Sequence, residues 1–467
     1  MLPLLALSFC ALFILWLFAM DRKLRPMTSG TLWIPLLWIM VIGSRPVSQW
    51  FSPAPTESSQ SYIDGNPFDR NVFLFIIVAG VLVLIMRRIN WGSIFASNRW
   101  VFLFFIYCGI SIIWSDYPFV SFKRWTKDIG NIVMALIILT EADPVLALRS
   151  VLARFVYFAV PLSVVLIIFF PDIGTYTSKV NLWTTESAVC GVTTNKNVLG
   201  GIVFICGLFL IWDFIETRAS GLKKARKAYY FGRTVLVSMA IWLIASAHSD
   251  TAIICLLLGT GILLFIWFSS RKRLAGRLGT YFLIGGIPIL FLFGFNDVLK
   301  TFLGVAGRNM TLTGRTELWA DLLKMPVNPL IGTGYDSFWL GDRMEHIWRI
   351  YSWHPIQAHN GFLETYLNIG LFGVCLLIFV IISAEKKLKK EILNGNSFGV
   401  FGFSYLVAAL FYNMTEARLD GPELLWFILL MSAMSYRRRA KLAPVAALLA
   451  AERKRPSLTP RNLISRY

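Results

Sequence analysis

The chain has 467 residues, of which 56% are hydrophobic and only 15% charged, and it carries a formal net charge of +19. A soluble domain is about a quarter charged, so this composition excludes an ordinary soluble fold and points to the membrane. The basic residues cluster between apolar runs, as in DRKLR, MRR, RKRLAGR, EKKLKK and RRRAK. That is the positive-inside pattern, with affinity for anionic lipid headgroups. No basic stripe interleaved with aromatics supports nucleic-acid binding.

A membrane-spanning helix needs about 20 mostly apolar residues. Such windows recur near 2–20, 31–50, 71–86, 99–114, 128–140, 150–170, 198–213, 233–246, 251–269, 279–295, 361–384, 398–413 and 423–436. The expected fold is all-α: a polytopic membrane bundle of about 12–13 transmembrane helices over residues 1–436, followed by a basic cytoplasmic tail at 437–467. Residues 1–20 lack a basic leader and a cleavage site, so they read as a retained first span. Placing the basic loops in the cytoplasm sends the amino terminus out. It also sends 51–70, 115–127, 171–197, 247–250, 296–360 and 414–422 to the outer side. The 296–360 loop is the longest of these. Within it, GRTELWADLLKMPVNP predicts a helix capped by Thr313 or Gly314 and stopped by Pro326, with Leu318, Leu322 and Leu323 on its apolar face. The six cysteines show no CxxC or metal spacing, so neither a disulfide framework nor a zinc site is expected.

Several outer segments hold polar residues that a simple connector does not need. WSDYPFVSFKRWTKD (114–128) puts Lys123, Arg124 and Lys127 outside. They are either tolerated there or form a cationic site for an anion. GVTTNKNVLGG (191–201) sets Asn195, Lys196 and Asn197 at a helix start. This is either an anion site of amides plus a lysine or an Asn cap with a snorkelling lysine. In SAHSDT (246–251), His248, Ser249 and Asp250 invite a triad reading. A helix-helix turn capped by Ser249 or Asp250 fits better, because neighbours in a turn rarely reach triad geometry. Arg315 opens the loop helix, where the dipole disfavours a cation; a phosphate to hold would justify it. In QAHNGFLETYLNIGLFG (357–373), His359 precedes a span, Asn360 can cap it, and Glu364 follows one turn on. His359 is a headgroup-level histidine or a catalytic one. His354, in WHP, ranks second to it.

Taken together, WSDYP, GVTTNKNVLG, SAHSDTA, GRTELW, NPLIGTGYDSF and AHNGFLETYLNIGLFG resemble the O-antigen ligase and Wzy-type polymerase superfamily, in particular its exopolysaccharide-polymerase branch, over residues 100–435. The resemblance implies a bacterial inner-membrane enzyme with its site facing the periplasm. It implies no metal and no cofactor, and a polyprenyl-diphosphate-linked glycan as donor. It also implies His359 as catalytic base and Arg315, Arg124 and Lys196 as diphosphate ligands. Asn197, Glu364, His354 and Ser249 are supporting positions. Ser249 stands where the family often has a basic residue. Such an enzyme would polymerise repeat units onto a glycan or lipid acceptor, with membrane lipid and a chain-length regulator as further partners. The alternatives are a ligase that moves a finished glycan to lipid A–core, and a transporter of lipid-linked sugars. A transporter would carry ionisable residues at mid-membrane, whereas these cluster toward one face.

Overall fold

The computed structural model describes residues 1–24, 29–52, 59–87, 89–179, 185–219, 226–268 and 315–436. Within them the order is α1 (Leu2–Leu24), α2 (Trp33–Ile42), α3 (Ser59–Asp64), α4 (Pro67–Met86), α5 (Trp91–Ser97), α6 (Arg99–Ile110), α7 (Pro118–Leu139), α8 (Pro144–Phe169) and α9 (Pro171–Gly174). A hairpin, β1 (Thr175–Lys179) and β2 (Thr185–Val189), leads into α10 (Lys196–Ala219), α11 (Arg226–Ser246) and α12 (Asp250–Phe268). Then come α13 (Arg315–Lys324), α14 (Gly341–Ile350), α15 (Gly361–Leu393), α16 (Ser397–Asn413) and α17 (Leu424–Ala433). The expected span at 279–295, the caps Thr313 and Gly314, and the tail from 437 lie outside the described residues.

The protein is an all-α polytopic membrane bundle. Among the described residues, 7 helices are long and apolar enough to cross a membrane, or 8 if α5 and the helical stretch from Arg99, which meet at 91°, form one span. Shorter apolar helices cover Gly30–Ile42, Ser397–Asn413 and Leu424–Ala433. The lengths sort by environment. Every side chain of α17 is buried, and nearly every one of α16, so these short helices are enclosed by the bundle. In contrast, α1 and α4 leave Leu4, Phe9, Phe75 and Ile85 exposed, as helices facing acyl chains do. α16 packs on α12 and α15, α10 on α12, α1 on α8, and α4 on α7.

Two local features set up the site. Proline in the first turn starts α7 at Pro118. The cationic stretch read as a loop is therefore mostly helix, and Arg124 and Lys127, three residues apart, share a face. The second feature is a break in α15 at Ile369 and Gly370, where Gly370 has φ +65° and ψ −170°, a conformation open essentially to glycine alone. Residues 328–334 (NPLIGTG) dock into this break. Leu371 N–H donates to Pro329 O (2.9 Å) and Phe372 N–H to Leu330 O (3.1 Å). In return Thr333 N–H donates to Leu367 O (3.1 Å) and Gly334 N–H to Asn368 O (2.8 Å). The loop thus takes up the backbone groups that the break frees. Gly332 touches Asn368 so closely that a Cβ would lie 2.4 Å from its backbone.

One sequence expectation is corrected. In α13, Leu318 and Leu322 are fully buried, but Leu323 is 60% exposed. Positions 318 and 322 are one turn apart on a single face, and 323 is rotated off it by about 100°.

Candidate active site

A cavity of about 690 Å³ gathers where α2 ends and α4, α7, α10 and α15 begin, closed by the α16–α17 connection. Of the segments that charge patterning groups on one side, all but 247–250 contribute to it: Tyr62, Arg124, Tyr176, Asp336 and Glu416 come from five separate stretches.

Glu416 is its hub. The side chain is 4% exposed and takes four partners. Asn197 Nδ2 and Arg315 Nη2 donate to Oε1 at 2.9 and 3.0 Å. Gln357 Nε2 donates to Oε2 at 3.1 Å, and His359 Nδ1 lies 3.1 Å from the same oxygen. Burial alone would raise the Glu416 carboxyl. The His359 hydrogen bond, with the charges of Arg315 and Arg418, outweighs burial and holds it down at about 2. An ionised carboxylate cannot donate, so it fixes the imidazole tautomer with the proton on Nδ1 and leaves Nε2 as the acceptor nitrogen. His359 has φ +51°. His354 and Asp336 also have positive φ and also line the cavity. Backbone strain of this kind collects at functional sites.

The local sequence explains how each group is presented. Asn360 caps α15, with Oδ1 accepting from Phe362 N (3.0 Å) and Leu363 N (3.2 Å), so His359 sits immediately before the helix. Glu364 does not touch His359. Its Oε2 accepts from Ala358 N (2.7 Å), and its Oε1 from Trp339 Nε1 (2.7 Å) and Asn368 Nδ2 (3.0 Å). It anchors the residue before the histidine and ties it to the break in α15. Asn195 caps α10, its Oδ1 accepting from Asn197 N (3.1 Å) and Val198 N (3.0 Å), which turns the Asn197 amide toward Glu416.

The arginines are already engaged. Arg315 does not line the cavity itself; it reaches the hub from α13, and its Nη1 donates to Thr415 O at 2.7 Å. This is what justifies an arginine at a helix start. Arg124 Nη1 donates to Asp336 O (2.7 Å) and to its carboxylate (3.1 Å), and Nη2 to Tyr62 O (3.0 Å). Arg418 pairs with Glu423 at 2.9 Å. Lys196 is the first residue of α10, flanked by the wall residues Asn195 and Asn197, and its backbone N–H points to Tyr176 Oη at 3.4 Å. His354 lies on the wall, stacked on Trp348 at 4.7 Å. Ser249 is apart from all of these, buried where α12 packs against Gly200 of α10.

Sequence reading missed Glu416, Gln357, Arg418 and Asp420. A signal was present: TEARLDGPE sets Glu416, Arg418, Asp420 and Glu423 within eight residues between two apolar runs, in a chain that is otherwise poor in charge.

Residues 234–379 match the family model described as O-antigen ligase. The Exopolysaccharide production protein ExoQ of Rhizobium meliloti is 28% identical over 379 residues, covering 77% of this chain and 82% of that protein. The chain is thus similar to the O-antigen ligase family over its later half, and to an exopolysaccharide production protein over most of its length. The O-antigen ligase match includes His359, Arg315, His354, Glu364 and Ser249, whereas Arg124, Lys196, Asn197 and Glu416 fall outside it. Those four are associated with the site by the fold, three of them through direct contact with the hub or the cavity wall.

Proposed function

We propose that this protein is a metal-independent glycosyltransferase. It joins polyprenyl-diphosphate-linked oligosaccharide repeat units into exopolysaccharide or O-antigen at the periplasmic face of the bacterial inner membrane. The observation that carries this reading is the His359–Glu416 pair inside a large polar cavity. An acceptor sugar hydroxyl is a poor nucleophile at neutral pH. His359 Nε2 takes its proton as the oxygen attacks the donor's anomeric carbon. The bond from that carbon to the diphosphate oxygen breaks, the configuration inverts, and the polyprenyl diphosphate leaves with the bonding electrons. The proton on His359 produces an imidazolium next to ionised Glu416, which stabilises it at 3.1 Å.

Charge on the departing diphosphate is met by Arg124 and Arg315, with Lys196 at the start of α10 as a further contact. The two arginines rest on carboxylates, Asp336 and Glu416. A diphosphate entering the cavity shares or exchanges those partners, so donor binding reorganises the same network that orients His359. Polymerisation is favoured over transfer to lipid A–core by the relative's printed role in exopolysaccharide production. Purified protein given a defined polyprenyl-diphosphate repeat unit decides between them. A ladder growing by whole repeats is the expected result. Transfer only to a lipid A–core acceptor would make it a ligase, and no turnover of either would overturn glycosyl transfer.

A further inference from the structure

Four tryptophans surround the loop that carries His359, and three are tied into the framework through their indole N–H. Trp319 donates to Ala358 O at 2.6 Å, Trp339 to Glu364 Oε1 at 2.7 Å, and Trp348 to Pro355 O at 2.9 Å. Trp353 differs. Its N–H meets no acceptor among the described residues, it is 40% exposed, and it lines the cavity. Its ring lies 5.5 Å from that of His359, tilted by 46°. The loop beneath it is cross-tied: His354 stacks on Trp348, His354 N–H donates to Tyr351 O at 3.1 Å, and Tyr351 meets the edge of Trp353 at 6.1 Å. A large aromatic side chain is therefore held in place and left uncovered, beside the group that must meet an acceptor hydroxyl.

We propose that Trp353 is the stacking platform of the acceptor-sugar subsite, holding the apolar face of a pyranose so that one hydroxyl points to His359 Nε2. Such a subsite presupposes glycosyl transfer at His359, as proposed above. A pyranose has a flat face of C–H groups and a rim of hydroxyls. Packing that face on an indole removes apolar surface from water, and the free N–H is available to a ring or hydroxyl oxygen. The rim needs polar partners, and the cavity supplies them. Of the carboxyls on its wall, Asp69, Asp336, Glu364, Glu416 and Glu423 are each hydrogen-bonded or ion-paired within the protein. Asp420 has neither kind of partner among the described residues and remains available to a sugar hydroxyl. A tryptophan that merely anchors the protein at headgroup level would have no reason to line the polar cavity next to the base.

The test uses full-length protein in detergent, a polyprenyl-diphosphate repeat unit as donor, and a soluble oligosaccharide of the same repeat as acceptor. Trp353→Ala should raise the acceptor's KM about tenfold, with Trp353→Phe retaining most of the wild-type value. Binding of sugar-free polyprenyl diphosphate should stay within about twofold of wild type in both. An unchanged acceptor KM, or a loss confined to polyprenyl diphosphate binding, would overturn the subsite. Hydroxyl-radical footprinting of the wild-type protein avoids dependence on the variants. The soluble oligosaccharide should protect Trp353, whereas sugar-free polyprenyl diphosphate should not. Equal reactivity with and without oligosaccharide refutes the platform. Should the wild type fail to turn over the donor while Trp353 is still protected, the subsite stands and glycosyl transfer falls.

Discussion

Two buried carboxylates organise charge at different places in this bundle, and they are built alike. Glu416 binds Arg315, Asn197, Gln357 and His359. Asp213, near the end of α10, binds Arg149 at 2.8 Å, Arg233 at 2.7 Å and Tyr229 at 3.0 Å. Each gathers partners from distant parts of the chain. They differ in access and in chemistry. Asp213 and Arg233 are sealed, at 0% and 2% side-chain exposure, and their partners are arginines and a tyrosine, which hold one protonation state near neutral pH. Glu416 lies on the wall of a cavity and holds a histidine, the side chain suited to exchanging protons there. A knot of buried charge is thus no sign of a site in itself. An opening and a histidine set the Glu416 cluster apart.

The comparison can be broken most decisively at its cavity end. His359→Ala should reduce glycan transfer by about 10²–10⁴-fold while leaving the melting temperature close to wild type. Activity within tenfold of wild type would remove the base from the mechanism. Asp213→Ala should do the opposite. Leaving Arg233 buried without its carboxylate costs roughly 3–5 kcal/mol. Thermal unfolding in detergent should show a large drop, with kcat of the surviving folded protein unchanged. A catalytic defect at full stability would make the two clusters functionally equivalent after all.

Glu416→Gln keeps the shape of the hub and removes its charge. A drop of about 10–100-fold in kcat, larger than any change in KM, is expected for a group that orients and charges a reacting one. Because Glu416 is held down at about 2, it is ionised throughout the working range. Any acid limb in the wild-type profile above that pH belongs to another group. The sign for stability follows: the carboxylate stabilises the fold above its ordinary value of 4.5, and this contribution is lost only as pH falls toward 2.

The smallest expected effect lies at Asp420. Burial, reinforced by the charges of Asp336 and Glu423 and opposed by Arg418, pushes its carboxyl up to about 7. A carboxyl raised in the folded state destabilises it wherever the unfolded chain would be ionised. The penalty grows as pH rises from about 3.8 to about 7 and is constant above. Asp420→Asn should therefore stabilise the fold more at pH 8 than at pH 4, where most of the penalty is gone. Equal gains at both would show that the carboxyl is not perturbed.

The helices were legible because span length and apolar windows are local properties. His359, Asn360 and the opening of α15 were legible for the same reason, since a cap and the helix that follows are neighbours in sequence. The hub was not. Glu416 is 57 residues from His359, 101 from Arg315 and 219 from Asn197, and only the packing of α10, α15 and α16 makes them adjacent. Arg315 looked misplaced at a helix start because its partner had not been recognised. The helical start of α7 was hidden by its own charges, which hydropathy reads as loop. Glu364 was visible as a polar residue of uncertain use. Its role in holding Ala358 depends on Trp339 and Asn368, contacts that only the docking of NPLIGTG into α15 creates.

The position of Glu416 along the chain also sets a schedule for assembly. Asn197, Arg315 and His359 are all synthesised before the residue that binds them together. A growing chain that has inserted α15 but not yet α16 holds His359 and Arg315 with no common counter-charge. The carboxylate that fixes the histidine's tautomer is supplied only once α16 has been made. The order of synthesis thereby delays assembly of the hub until α10, α13, α15 and α16 have all been made.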